Sequence, residues 1–181
     1  MYNKTQINNF VKLMKKLAKV STMQDSRKMF TQYDYENHVV YISDGCAIFP
    51  IPDDIYFENC DDCKCPNRDS VENSKVNLRE FFKTMNDDTK QSCIKTTLLH
   101  DIGGKLTNIY KLGSDFGEVD KRYVDMVALL PNWLSDFNPY AVNTKSPLVF
   151  YSDIIDMGYV ILPIYSRIEE VFNNLGFKKE N

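Results

Sequence analysis

An amphipathic segment near the amino terminus constrains the fold most, because its apolar face must be covered by the rest of the chain. Between residues 5 and 19, apolar side chains recur at intervals of three and four positions, which is the spacing of one helix face. These apolar residues are Ile7, Phe10, Val11, Met14, Leu17 and Ala18. The segment is therefore predicted to be a helix with one buried face.

The opposite face of this predicted helix is unusual in its charge. At about 100° per residue, five lysines cluster there and no acidic residue interrupts them. They are Lys4, Lys12, Lys15, Lys16 and Lys19. A solvated face normally mixes signs and gains ion pairs at the spacing i, i+4. Two interpretations stay open, which are a lysine-rich solvent face and a helix that lies against phosphate groups.

Three short runs of β-branched and aromatic residues follow, and they predict strands of an antiparallel sheet. The strands are predicted at residues 30–33, 39–42 and 46–49. The tripeptides ENH and SDG lie between them, and Asp44-Gly45 is typical of a tight turn. Pro50 and Pro52 are predicted to end the third strand, because proline donates no ladder hydrogen bond.

Residues 53–75 are polar and acidic, and they show little periodicity. They are predicted to form a long loop inserted in a single domain that spans residues 1–181. The sequence CDDCKC places Cys60, Cys63 and Cys65 in this loop. A C-x-x-C pair can give two thiolates to a zinc ion, but no second pair follows. Reduced loop thiols are therefore favoured over a zinc site, and no resident cofactor is expected.

The remaining segments alternate between helices and antiparallel strands. In chain order, they are a helix at 76–88, a hairpin at 92–113 that turns at Gly103-Gly104, a helix at 118–133, a hairpin at 146–166 that turns at 156–158, and a short helix at 168–174. Strict alternation of single strands and helices is missing from this order. The predicted class is therefore α+β with antiparallel sheets.

The second and third predicted amphipathic helices also carry basic residues. Arg79 and Lys83 lie four positions apart on the second helix, and Lys121 and Arg122 lie in the first turn of the third. Asp120 is the predicted N-cap of the third helix. Its predicted core residues are Tyr123, Val127 and Leu130, and its predicted exit is Pro131. Because the net charge is −3, any contact with nucleic acid is expected from such local basic faces.

Composition and motifs exclude several classes of protein. Hydrophobic residues make up 43% of the 181 residues, which is too apolar for a disordered chain. No apolar run approaches the roughly 20 residues of a membrane span, and the first residues lack an apolar signal core, so a cytoplasmic protein is expected. The sequence GGKLT lacks the first glycine of a phosphate loop, and no G-x-S-x-G or H-E-x-x-H occurs. No enzymatic activity is therefore expected.

Two stretches resemble parts of DNA sliding clamps, the processivity factors of replicative polymerases. HVVYISDGCAIFPIP is similar to the clamp segment in which a strand runs into TDG and then a second strand, with Ser43 in place of the usual Thr. VDKRYVDMVALL is similar to the helix N-x-x-Y-L-x-x-x-L of the terminal unit of bacterial clamps, where Tyr123 and Val124 match the Tyr-Leu pair. Pro147 and residues 159–164 match the strands that follow that helix.

The resemblance implies a DNA-clamp-like fold, with two or three amphipathic helices facing DNA and antiparallel sheets outside. Basic residues on such helices attract the phosphates of duplex DNA without reading its sequence. In this chain, they would be Lys12, Lys15, Lys16, Lys19, Arg79, Lys83, Lys121 and Arg122. Bacterial clamps bind partner peptides near the closing strand, which implies contacts at Leu162, Pro163 and Ile164. The chain is shorter than a three-domain clamp, so a ring would need several copies.

The expected function is therefore a non-catalytic replication accessory protein that holds double-stranded DNA. Its expected partners are duplex DNA, further copies of the chain and replication proteins, and no membrane. Two alternatives stay open: a protein-interaction module with a clamp-like fold that does not bind DNA, and a small zinc-binding protein. The strength of binding at rising salt separates the DNA-binding function from the protein-interaction alternative, because phosphate contacts weaken steeply with salt.

Overall fold

A computed structural model describes residues 2–22, 29–66, 91–92, 95–102, 105–112, 118–132, 140–141, 147–152 and 157–162. Its helices are α1 (Lys4–Thr22), α2 (Asp53–Asn59) and α3 (Lys121–Val127). Its strands are β1 (Phe30–Asp34), β2 (Val39–Ser43), β3 (Ala47–Pro52), β4 (Gln91–Ser92), β5 (Lys95–Ile102), β6 (Lys105–Leu112), β7 (Glu118–Asp120), β8 (Tyr140–Ala141), β9 (Leu148–Ser152) and β10 (Met157–Ile161). The predicted helices at 76–88 and 168–174 lie outside the described residues.

The described strands form two antiparallel sheets, which confirms the predicted α+β class. The larger sheet has seven strands in the order β1-β2-β3-β10-β9-β8-β4, and the smaller has three in the order β5-β6-β7. Strand β10 joins distant parts of the chain, because its Val160 stands opposite Ile48 of β3 on one side and Val149 of β9 on the other. Within the described residues, no helix is long and apolar enough to cross a membrane.

Helix α1 confirms the predicted amphipathic helix, and a capping box fixes its start. The backbone N–H of Gln6 donates to Oδ1 of Asn3, and the N–H of Asn3 donates to Oε1 of Gln6, both at 2.9 Å. The apolar face belongs to the same buried core as side chains of β2, β3 and β10, and α1 contacts α2. Its most buried members, at most 2% exposed, are Phe10, Leu13, Met14 and Leu17. This burial holds the helix in one rotation about its axis.

The three strands after α1 also lie where they were predicted, but the prolines do not end the third. Pro50 and Pro52 both lie within β3, and Pro50 stands opposite Tyr41 of β2. The ladder between β3 and β10 runs through Ala47 and Ile48, which precede both prolines. The missing N–H groups of the prolines therefore cost no bond in that ladder.

The first part of the predicted loop at 53–75 is a helix, so that prediction is wrong there. Helix α2 begins at Asp53, directly after β3, and it buries Ile55 and Tyr56. It contacts α1, β2 and β3. The turns that follow α2 pack their cysteines into the core up to Cys65, and residues 67–75 lie outside the described residues.

The segment predicted as one helix at 118–133 is a strand followed by a shorter helix. Glu118–Asp120 forms β7, which pairs with β6, and α3 then begins at Lys121. Asp120 is the N-cap, as predicted, because its side chain accepts a hydrogen bond from the backbone N–H of Arg122. The predicted core residues of this segment are all buried, and they are Tyr123, Val127 and Leu130.

Both predicted hairpins in the second half of the chain are present, although one turns earlier than predicted. Ile102 of β5 stands opposite Lys105 of β6, which leaves two residues for the turn at 103–104 and confirms that prediction. In the last hairpin, Met157 stands opposite Ser152 and Gly158 opposite Tyr151. Gly158 is therefore part of β10, and the turn lies before it.

Candidate nucleic-acid interface

Four exposed lysines of α1 form a basic surface, which we call the lysine face: Lys12, Lys15, Lys16 and Lys19. They lie opposite the buried face of the helix, and α1 contains no acidic residue. Within the part of the chain that the structure describes, Lys12, Lys15 and Lys16 form no ion pair. The buried face fixes the orientation of the helix, so the lysine face is a fixed concentration of positive charge.

The basic residues of α3, Lys121 and Arg122, are paired with carboxylates of their own segment. Lys121 Nζ lies 2.5 Å from Oδ1 of Asp125, one helical turn away. Arg122 donates from Nε and Nη2 to both carboxylate oxygens of Asp120. The hydrogen bond to Asp120 raises the pKa of Arg122. These two predicted DNA contacts therefore have their charge largely balanced within their own segment.

The remaining sites predicted from the clamp resemblance are only partly described. Leu162 is 3% exposed, and its backbone N–H donates to the carbonyl oxygen of Cys46 at 2.8 Å. Its side chain thus belongs to the core, rather than to a surface that a partner peptide could contact. Pro163 and Ile164, like Arg79 and Lys83, lie outside the described residues.

A buried carboxylate links the SDG turn to α3. Asp44 is fully buried, and it accepts hydrogen bonds from the backbone N–H groups of Cys46 at 2.9 Å and Ala47 at 3.2 Å. The hydroxyl of Tyr123, 79 positions away in the chain, donates to Asp44 Oδ2 at 2.5 Å. Gly45 has a φ of 89°, the left-handed region that favours glycine. The SDG sequence therefore supplies both the turn conformation and the buried acceptor.

The CDDCKC sequence ends the helical segment that begins with α2. The backbone N–H of Lys64 donates to the carbonyl oxygen of Asp61 at 3.0 Å, and that of Cys65 donates to Cys60 at 2.9 Å. Lys64 adopts a φ of 58°, in the left-handed region. This pair of bonds, with a left-handed residue between them, is a Schellman motif, in which residues equivalent to Cys60 and Cys65 commonly make an apolar contact.

The structure gives the three cysteines of this sequence a packing role. Cys60, Cys63 and Cys65 are at most 8% exposed, and Cys63 Sγ lies 3.9 Å from the carbonyl oxygen of Val11 in α1. Burial raises the pKa of all three thiols, to about 12 for Cys65. They are therefore protonated at neutral pH. Among the described residues, no group of three or more His, Cys, Asp or Glu side chains is arranged to hold a metal ion.

A polar cluster that the sequence did not predict ties the β1–β2 turn to α2. The Tyr33 hydroxyl donates to Oδ2 of Asp53 at 2.6 Å, and His38 Nδ1 lies 3.2 Å from the same oxygen. Partial burial raises the pKa of Asp53, but the hydrogen bonds from Tyr33, His38 and the backbone N–H of Asp54, together with the nearby His38 ring, outweigh it, so the pKa falls below its usual value. The His38 side chain is 77% exposed, which places this cluster at the surface.

Comparisons of the chain with protein-family models, with curated proteins and with solved structures give no match. The function has to be inferred from the lysine face, the contacts around Asp44 and the packing of the cysteines. Of these three features, the lysine face is the one that has a charge suited to a macromolecular ligand.

Proposed function

We propose that the chain is a non-catalytic DNA-binding accessory protein with a clamp-like fold, which holds duplex DNA against the lysine face. The observation that carries this proposal is the exposure of the four residues of the lysine face, on a helix whose other side is fixed in the core. Because the whole chain has a net charge of −3, attraction to phosphates has to come from local basic surfaces such as this one. Such attraction does not depend on base sequence.

The residue types on α1 favour contact with the DNA backbone over contact with bases. The exposed residues of the helix are lysine, asparagine and threonine, with no arginine and no aromatic side chain. Lysine binds phosphate as a point charge, and the aromatic rings that are the usual platforms for unpaired bases are missing from the exposed residues of this helix. A duplex held through its phosphates is therefore the ligand that suits this face.

Contacts among the stretches that resemble sliding clamps support the clamp-like part of the proposal. Tyr123, in the helix of the second stretch, donates to Asp44 in the turn of the first. Val160, in the closing strand, stands opposite Ile48 in the strand that follows this turn. These stretches are far apart in sequence, so their meeting reflects tertiary packing rather than chain connectivity.

The test is the salt dependence of binding to a fluorescently labelled duplex, measured by anisotropy. Four lysine–phosphate contacts predict that log Kobs falls with log salt at a slope of about −3.6. The triple change Lys12→Glu, Lys15→Glu, Lys16→Glu should abolish binding and leave the thermal unfolding temperature nearly unchanged, because these side chains are exposed. Absence of wild-type binding at low salt, or full binding by the folded triple variant, would overturn the proposal.

A clamp-like factor of this length would encircle DNA only as an assembly of several copies. Light scattering over a range of concentrations measures the mass of the particle in solution. A discrete oligomer that is retained on circular DNA and lost from linear DNA is the result expected of a ring. A strict monomer would restrict the proposal to a DNA-binding domain that does not encircle its ligand.

A further inference from the structure

A second charged surface lies on α2 and the turn that follows it. Its members are exposed carboxylates, which we call the acidic stripe: Asp54, Glu58, Asp61 and Asp62. Their spacing of i, i+4, i+7 and i+8 places them on one side of the helical segment. In the described part of the chain, they form no ion pair with the lysine face. The two surfaces therefore have opposite charge and are both open to larger ligands.

One contact and the electrostatic surroundings of Tyr2 show how the acidic stripe lies relative to the lysine face. Burial, together with the nearby carboxylates of Asp54 and Asp53, raises the pKa of Tyr2, so the starts of α1 and α2 are close together. At the other end, Cys63 Sγ lies 3.9 Å from the carbonyl oxygen of Val11. The two helices therefore run side by side in the same direction.

This arrangement places the end of the acidic stripe beside the beginning of the lysine face. Asp62 directly precedes Cys63, and Lys12 directly follows Val11. Lys15 lies one turn beyond Val11. Burial raises the pKa of the Cys63 thiol most, while the charge of Lys15 lowers this pKa and the charge of Asp62 raises it, so both charged groups lie near the thiol. The surface thus changes sign at the line of contact between the two helices.

Helix stability does not account for Asp61 and Asp62. Carboxylates near the C-terminal end of a helical segment are disfavoured by the helix dipole, which places partial negative charge on the last carbonyl groups. Asp61 and Asp62 lie in the last turn of the helical segment, which the Schellman motif closes and where lysine or arginine would stabilise the segment. Their presence at this position calls for a role other than holding the helix together.

We infer that Asp61 and Asp62 form an electrostatic boundary that keeps the duplex off α2 and positions it along the lysine face. The inference rests on the proposed function. A carboxylate acts over about one Debye length, roughly 8 Å at physiological ionic strength. Asp61 and Asp62 therefore repel a phosphate that lies across the line of contact between the helices. Asp54, which lies about 11 Å further along the helix axis from Asp61, is too distant to do so.

The test compares two double variants that change the net charge equally. Asp61→Asn with Asp62→Asn should raise affinity for a labelled duplex three- to tenfold at low salt. The matched control, Glu36→Gln with Asp54→Asn, should change affinity less than twofold, because Asp54 lies in the first turn of α2 and Glu36 lies in the β1–β2 turn, whose His38 contacts Asp53 at the start of that helix. A second pair reports position: Asp61→Lys with Asp62→Lys should steepen the salt slope by about 2, since the duplex can then contact α2. Glu36→Lys with Asp54→Lys should leave the slope unchanged.

The outcomes separate this inference from the proposed function. If the control Glu36→Gln with Asp54→Asn gains as much affinity as Asp61→Asn with Asp62→Asn, the effect is one of net charge in general. That result would overturn the boundary and leave the proposed function standing. Unchanged affinity in the Asp61 and Asp62 variants would also overturn the boundary. If the wild-type chain binds no duplex, the proposed function fails and the boundary fails with it. Thermal unfolding of every variant verifies that the fold is retained.

Discussion

The hydroxyl of Tyr123 lies 2.5 Å from Oδ2 of the buried Asp44, and this bond joins α3 to the turn between β2 and β3. Asp44 also accepts two backbone N–H groups of its own turn, and Arg122 lies close enough for the charge of Asp44 to raise its pKa, although the Asp120 hydrogen bond contributes more. A buried carboxylate needs such donors, because burial without them is costly. This polar contact thus joins the turn of the first clamp-like stretch to the helix of the second.

The Tyr123→Phe variant is expected to destabilise the fold by about 1.5–3 kcal/mol, the usual contribution of a hydrogen bond to a charged group. Urea unfolding measures this change, with Tyr35→Phe as the control, because Tyr35 is 63% exposed. The control should change stability by less than about 0.5 kcal/mol. DNA binding by folded Tyr123→Phe should equal that of the wild type. A loss as small as that of the control would show that the contact contributes little.

Single lysine changes should separate the lysine face from the paired cations of α3. Lys12→Gln removes a cation that has no ion pair among the described residues, so the salt slope of duplex binding should become shallower by about 1. Lys121→Gln makes the same change in net charge, but Lys121 is paired with Asp125. The salt slope of duplex binding by this variant should therefore equal that of the wild type. If Lys121→Gln reduces the salt slope as much as Lys12→Gln does, α3 belongs to the interface.

Lys64 offers a test of the Schellman turn that ends the α2 segment. Its φ of 58° is strained for a residue with a Cβ atom, and glycine removes that strain. Lys64→Gly is expected to stabilise the fold by about 0.5–1 kcal/mol in urea unfolding, after the greater freedom of the unfolded chain is included. Lys64→Val should destabilise it, because a β-branched residue fits this region worst. If glycine destabilises and valine does not, the turn differs from the one described.

Periodicity predicted the parts of the fold in which one local pattern decides the structure. The capped α1 and the Asp44-Gly45 turn are of this kind, since the spacing of apolar residues and the need for a positive φ are both visible in sequence. Helix α2 was missed because it is seven residues long and buries only Ile55 and Tyr56, while the buried residues that continue its face, Cys60 and Cys63, were interpreted as loop thiols.

The residues of the candidate site could be predicted where they lie on one local element, and could not be predicted where they come from distant parts of the sequence. The lysine face could be predicted because all its members lie on one helix. The pairing of Lys121 with Asp125 follows the i, i+4 rule and was open to prediction from sequence. The bond between Tyr123 and Asp44, and the contact of Cys63 with Val11, join residues distant in sequence, so only tertiary structure brings them together.

The surface cluster around Asp53 predicts a specific dependence of stability on pH. The folded pKa of Asp53 is lowered, so its contribution is present above the unfolded pKa of about 4 and is lost as the pH falls through the folded value. Urea unfolding between pH 7 and pH 3 should therefore show a shallower acid loss for Asp53→Asn than for the wild type. Tyr33→Phe, which removes one donor to Asp53, should fall between them. Three superimposable profiles would contradict the coupling.

The buried cysteines predict the outcome that separates the packing role from the zinc-binding alternative. Because burial raises the pKa values of Cys60, Cys63 and Cys65, these thiols should react with iodoacetamide at neutral pH only after unfolding, whereas the half-buried Cys46 should react in the folded chain. Peptide mass mapping identifies the labelled positions. With a packing role, a chelator should leave the unfolding temperature unchanged, and Cys63→Ala should be destabilised by about 1 kcal/mol. A zinc ion in the purified chain that is lost in Cys63→Ser, with a matching fall in unfolding temperature, would establish the zinc-binding alternative.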